Sequence, residues 1–340
     1  MSIGSGLMPT GAAGHVSSLG RNSLQSVFSG RIAAVLAAWA VLAFVGVRAV
    51  LTEFNPDYEN YSVIINEVQR SQDLLFNLLL AKDLGFLLLI KLGALIREDV
   101  AIVFGLTAFA TFLAKAVLTA KALRKPFAFA VLYALLLAPG LDLAAIRAGL
   151  AISLLGIAFA SPTRKGLVSI YALSVFSHVS MLSAAPAVLA ATRRWIERNP
   201  LTAQACLLCA GLAIYPLASA FERSEAYKGN VSSVFGLVVP ISTIIAANIT
   251  RLMIARRRHS RFSLLCLSAA LAVTALGFGL APGSITLASR FCEIATFLLL
   301  LSVCSVSNGY GPRFWVPVAA LSVFPILRNT LSGLWISLVM

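Results

Sequence analysis

Phe262 to Leu280 reads FSLLCLSAALAVTALGFGL, without one charged side chain. A run of this kind is long enough to cross a hydrocarbon core of about 30 Å as a helix. It is not isolated. Apolar blocks of roughly 18 to 24 residues, the length such a crossing needs, recur along the chain: Arg31 to Leu51, Val100 to Ala120, Leu201 to Ala220, Val234 to Met253 and Leu287 to Ser307. Shorter blocks run Pro126 to Gly140, Leu143 to Ala160 and Phe314 to Leu327. Lipid offers the backbone no hydrogen bonds, so blocks of this kind must be helical.

Composition agrees. Of 340 residues 59% are hydrophobic and 12% charged, against about 25% charged in an ordinary soluble domain. The formal charge is +14. The cations gather in short clusters: Lys121, Arg124 and Lys125; Arg164 and Lys165; Arg193, Arg194 and Arg198; Arg256, Arg257, Arg258 and Arg261. Clusters between apolar blocks set orientation toward the cytoplasm, and that reading excludes nucleic acid as the partner. With Arg21 and Arg31 on the same side, Glu53, Asp57, Glu59, Glu67, Asp73, Asp142, Glu222 and Glu225 fall on the opposite, periplasmic face, while Glu197 faces the cytoplasm. The Thr52 to Gln72 stretch is then a periplasmic loop.

Two segments, Asp73 to Ile96 and Leu167 to Ala191, must enter and leave on one side for this arrangement to close. Each has polar residues in its middle, Lys82 with Asp83 and Ser177 with His178, as a break inside a membrane would. The rival is two ordinary spans with some basic clusters on the wrong side. The expected fold is all-α: a polytopic transmembrane helical protein of about 9–11 membrane segments, two of them re-entrant or broken. Residues 1–30 read as a flexible cytoplasmic tail, 31–328 as a single transmembrane helical domain in the bacterial inner membrane, and 329–340 as a short C-terminal tail. The first block reads as a retained anchor, because no small-residue cleavage site follows it. The cysteines, Cys206, Cys209, Cys266, Cys292 and Cys304, lie in apolar stretches and read as helix-packing residues. No metal or cofactor motif is present, and no HExxH, Walker A or GxSxG.

Ionisable residues at bilayer depth are expensive and mark function or pairing. Arg147 and Arg290 stand at matched depth, each about a turn into a block entered from the periplasm. A pair of guanidinium forks suits a phosphate or pyrophosphate. The alternative is local pairing, Arg147 with Asp142 and Arg290 with Glu293. His178, the one histidine in an apolar segment, is either packed and satisfied by Ser177 and Ser180 or a proton acceptor. Asp57, Tyr58 and Tyr61 offer a carboxylate and aromatic faces of the kind that hold sugars, or an interfacial belt. Tyr227 and Lys228 repeat that theme. Lys82, Lys91 and Lys115 read as snorkelling or locally paired.

In order, Asp57-Tyr58-x-x-Tyr61, Ile146-Arg147-Ala148-Gly149-Leu150-Ala151, Phe176-Ser177-His178-Val179-Ser180, the loop with Tyr227 and Ala288-Ser289-Arg290-Phe291 resemble the EpsG family of Wzy-like exopolysaccharide polymerases, over about Arg31 to Ser307. Three positions depart from its pattern: Gln72-Asp73 stands for Glu-Pro, Ala148 for Gln, and Ser177 is an extra residue before the histidine. The resemblance implies a membrane glycosyltransferase that joins oligosaccharide repeat units carried on polyprenyl pyrophosphate, without a metal, into an exopolysaccharide or capsule at the periplasmic face. In that frame Arg147 and Arg290 meet the pyrophosphate charge, and His178 or Asp57 serves the acceptor hydroxyl. Tyr58, Tyr61, Asp142, Tyr227 and Lys228 bind substrate. Its partners are the lipid-linked oligosaccharide, the bilayer, a chain-length regulator and export proteins. The competing functions are a transporter or flippase of lipid-linked or anionic substrates, and a non-catalytic subunit of a polysaccharide export complex.

Overall fold

The computed structural model describes residues 33, 35–40, 42–43, 58–81, 83–144, 146–185, 188–189, 199–221, 235–254, 260–281, 285–306 and 311–331. Among them the fold is all-helical, with no strand. The elements are α1 (Tyr58–Arg70), α2 (Leu74–Ala81), α3 (Leu84–Ile96), α4 (Val100–Ala122), α5 (Pro126–Leu136), a π-helical turn (Pro139–Ala144), α6 (Ile146–Ala160), α7 (Arg164–Ser177), a 3-10 turn (Val179–Ala184), α8 (Pro200–Phe221), α9 (Phe235–Ile254), α10 (Arg261–Leu280), α11 (Ile285–Cys304) and α12 (Pro312–Leu331).

Their starts follow from local chemistry. The Asp99 side chain accepts the Ala101 N–H at 2.9 Å and opens α4. Thr163 and Ser260 accept the N–H groups of Gly166 and Ser263 and open α7 and α10. Each thereby satisfies a donor that the first helical turn leaves without an internal partner. Pro126 stands in the first turn of α5, where its missing N–H costs nothing.

Two expectations change here. The stretch expected as a loop contains a helix, α1, which buries Tyr61, Ile65 and Val68 on one face and turns Glu59, Asn66 and Glu67 outward. Spacings of three and four residues put those apolar side chains on one stripe. The tail expected from residue 329 begins inside α12, which runs on to Leu331. Both segments with polar middles are broken where the polar residues stand. In one, α2 ends at Ala81 and α3 starts at Leu84, directly after Asp83; in the other, His178 stands between α7 and the 3-10 turn.

Among the described residues, α4 and α10 are long and apolar enough to cross a membrane. Shorter apolar stretches occupy Leu84–Ile96, Pro126–Leu136, Ile146–Ala160, Leu201–Ile214, Ile241–Met253 and Phe314–Val323. The surface of α4 is inside out. Thr107, Thr111, Lys115 and Thr119, four residues apart, are buried, while Phe109, Leu113 and Val117 point outward. On α3 Leu84, Leu88, Leu92 and Leu95 are exposed in the same way. Contiguous apolar surface on this scale, with polar groups turned inward, suits lipid and not water.

Helix α10 is the buried centre and packs against α8, α9 and α11. It crosses α8 through two glycines. A Cβ added to Gly279 would stand 2.6 Å from Leu208 O and 2.9 Å from the Gly211 Cα. Those neighbours are backbone, so one helix must move away. Gly279→Val is expected to cost stability within the roughly 1–3 kcal/mol range of overpacking, read as a lower thermal midpoint in detergent. Three cysteines, Cys266, Cys292 and Cys304, are buried between helices as expected, but Cys206 and Cys209 are exposed on α8, because they fall on its outward face.

Two hydrophobic clusters result. The larger joins α5, α6, α10, α11 and the 3-10 turn. The smaller joins α1, α3 and the first part of α4. Ile146 belongs to the smaller cluster and Ala148 to the larger, so Arg147, between them in sequence, stands at the seam.

Candidate functional site: two helix breaks on one carboxylate

Asp83 precedes the first residue of α3, with extended backbone, yet its side chain does not cap that helix. It reaches the other break. Asp83 Oδ1 accepts the backbone N–H of Val179 at 3.0 Å, and Oδ2 lies 3.2 Å from His178 Nδ1. Arg147 Nη1 donates to the same Oδ2 at 2.8 Å and to the Ala81 carbonyl at 2.9 Å. Arg147 Nε donates to the Tyr61 hydroxyl at 3.4 Å, and the guanidinium carbon lies 5.1 Å from the ring centres of both Tyr61 and Phe86, within cation–π range.

The approach of the two breaks depends on Gly85. A Cβ there would lie 3.0 Å from the Ser177 Cα and 3.1 Å from Phe176 O. The second break is pinned on both flanks. Ser174 Oγ donates to Ala151 O on α6 at 2.6 Å, and the Tyr171 hydroxyl donates to Met181 O at 3.0 Å. His178 is thereby held between a helix end and a turn that cannot easily rotate.

Burial sorts the members by role. The Asp83 side chain is 2% exposed, Arg147 16% and His178 24%. The carboxylate forms the floor, and the cation and imidazole are the groups that something from outside can touch.

Several sequence-based pairings are corrected. Arg147 does not pair with Asp142. An offset of five residues lies off the i,i+3 and i,i+4 neighbours of a helix, and the π-helical turn separates the two. Asp142 pairs with Lys115 on α4 and accepts the Tyr133 hydroxyl at 3.0 Å. Lys115 neither snorkels nor pairs locally. It is buried, with its ammonium 4.2 Å from the Tyr133 ring centre and 5.3 Å from that of Trp39. Trp39, Phe104, Phe112 and Ile146, with Thr111, line a small cleft that reaches this pair. Lys91 donates to Val68 O at 2.8 Å and Ser71 O at 3.1 Å, binding α3 to the C-terminal end of α1. Ser177 Oγ donates to Leu173 O, so Asp83, and not that serine, satisfies the histidine.

Arg290 donates to Glu293 at 3.0 Å, a local pair three residues apart, and keeps 41% of its side chain exposed. The structure records no hydrogen bond or ion pair between it and the Asp83 group. Tyr61 is 4% exposed, edge-on to Phe86 and Phe104, so it supports Arg147 and does not present an open face. Tyr58 stacks on Phe104. Asp57, Tyr227, Lys228 and Lys82 lie outside the described residues. Among the described residues no three His, Cys, Asp or Glu side chains gather as metal ligands.

Three of the five ordered motifs thus meet in space, Arg147 and His178 on Asp83 and Tyr61 on Arg147, and a match to the EpsG family spans residues 34–327. The chain belongs to the EpsG family. No curated protein and no solved structure matches it. EpsG membership and the apolar helices together point to a polysaccharide-associated membrane protein. Within this EpsG chain the residue that sequence reasoning passed over is Asp83, noticed only as the mark of a helix break. A carboxylate in an apolar segment, two residues before a glycine, was the available signal.

Proposed function

We propose that this EpsG-family chain is a polymerase of the bacterial inner membrane, which joins oligosaccharide repeat units on polyprenyl pyrophosphate into an exopolysaccharide or capsule at the periplasmic face. One observation carries the reading: Arg147 and His178, from different helices, share a buried carboxylate while both stay accessible. A glycosyl transfer from a pyrophosphate needs these two kinds of group side by side.

The steps follow from their chemistry. His178 takes the proton of the acceptor hydroxyl on one lipid-linked unit. The freed oxygen attacks the anomeric carbon of the donor sugar. The bond from that carbon to the pyrophosphate oxygen breaks, and the electron pair leaves with the polyprenyl pyrophosphate. Arg147 meets the developing negative charge from a partly dehydrated site, where such a contact is strongest. Arg290, half-exposed on α11, is the second cation of this reading. Asp57, Tyr58, Tyr227 and Lys228 are its sugar contacts, and a chain-length regulator and export proteins its partners.

The test is the leaflet and length of the lipid-linked sugar in cells making His178→Ala. Without the ring Asp83 still holds Arg147 and the Val179 N–H, so the variant is expected to fold. Long polymer is expected to fall about 10²- to 10⁴-fold, the usual share of a general base, with single units accumulating on the periplasmic leaflet. Units held on the cytoplasmic leaflet would replace this reading with transport, and normal polymer would exclude His178 from the chemistry.

A further inference from the structure

The polymerase reading needs His178 to present a basic nitrogen outward, and the imidazole has two. Which one is basic depends on where the neutral ring keeps its single proton. Asp83 Oδ2 takes Arg147 Nη1 and Oδ1 takes the Val179 N–H. A carboxylate engaged by a guanidinium and a backbone donor is an acceptor only. The nitrogen facing it, His178 Nδ1 at 3.2 Å, must therefore bring the hydrogen.

We propose that Asp83 is the positioning residue of the site, fixing His178 in the tautomer with the proton on Nδ1, so that Nε2 is the base offered to the acceptor hydroxyl. The proposal rests on the polymerase reading for its purpose but not for its geometry. Asp83 does not touch substrate, because its side chain is 2% exposed beneath its two partners. It acts through them. Oδ2 holds His178 and Arg147 at one atom, so the base for the acceptor and the cation for the leaving group keep a fixed separation. Gly85 makes this possible by letting α3 approach the α7 backbone at Ser177.

Ring-nitrogen NMR tests the assignment directly. The chain has three histidines, and His15→Gln with His259→Gln leaves His178 as the only labelled ring. In the full chain in detergent, with ¹⁵N-histidine, at a pH where the imidazole is neutral, Nδ1 is expected to give the protonated and Nε2 the unprotonated resonance. Free histidine prefers the opposite arrangement. In Asp83→Asn the amide presents a donor, and the ring is expected to move to the Nε2-protonated form. Polymerisation by that variant is expected to drop by about 10²-fold or more, the lower bound for losing a general base. If Asp83→Asn does not fold, Asp83→Ala is the second variant, which leaves no side-chain acceptor facing Nδ1 and is read the same way. An Nε2 proton in the chain with Asp83 intact overturns the proposal. So does an Nδ1 proton that persists in the folded variants, since another group would then be setting it. These resonances need no turnover. A chain with the expected tautomer and no polymerase activity would disprove the reading of function while leaving Asp83's role in place.

Discussion

Replacing Arg147 with alanine is expected to abolish long polymer and to leave single repeat units on their lipid carrier. Two losses combine. Removing one preorganised donor from a developing oxyanion costs about 10²- to 10³-fold in turnover. The same change strips Asp83 of its cation, and breaking a buried pair costs about 3–5 kcal/mol. The lower end applies, because Arg147 and His178 keep some exposure and the Val179 N–H remains. Arg147→Lys separates the two. Lysine keeps the charge near Asp83 but has no fork to serve Ala81 O, Asp83 and the Tyr61 hydroxyl together. It is expected to accumulate in membranes at normal levels with polymer at least about tenfold down. Immunoblots of membranes beside lipid-linked oligosaccharide profiles read both quantities. Full polymer in Arg147→Lys would reduce the residue to a point charge and remove the argument from its geometry.

Lys115→Met is expected to be strongly destabilising. It leaves Asp142 with only the Tyr133 hydroxyl, and the cost is about 3–5 kcal/mol, with a correspondingly low thermal midpoint. The double variant Lys115→Met with Asp142→Leu removes both charges and is expected to recover most of that loss, less about 1–3 kcal/mol for the Tyr133 hydroxyl left unpaired. A thermodynamic cycle over the two positions measures the coupling. If the double variant were as unstable as Lys115→Met alone, the cost would lie in the lost packing of the lysine stem against Trp39 and not in an uncompensated carboxylate.

The positions of most helices, though not of α1, were legible because apolar blocks and basic clusters alternate, and α4, α7 and α10 open on side-chain caps. Both breaks were legible too, because Lys82-Asp83 and Ser177-His178 are polar in apolar surroundings. Partner choice was not. Asp83 meets Arg147 and His178 across 64 and 95 residues, and no local pattern encodes which carboxylate a distant cation will find. Asp142, five residues from Arg147, was the nearer partner in sequence and the wrong one in space. Gly149 held a faint record of its real position: a Cβ there would strike Asp142 Oδ1. Tyr61 was legible as an aromatic at the right level, but its burial depends on Phe86 and Phe104, which sequence does not single out.

The long spacing within the Asp83 cluster also bears on how the molecule is made. Ribosomes add about 5–20 residues per second, so the Asp83 carboxylate precedes Arg147 by roughly 3 to 13 s and His178 by longer still. During biogenesis a lone acid must be shielded by headgroups, water or the insertion machinery until its cation arrives. For those seconds Asp83 is an acid in an apolar segment without the arginine and histidine that it holds in the finished fold.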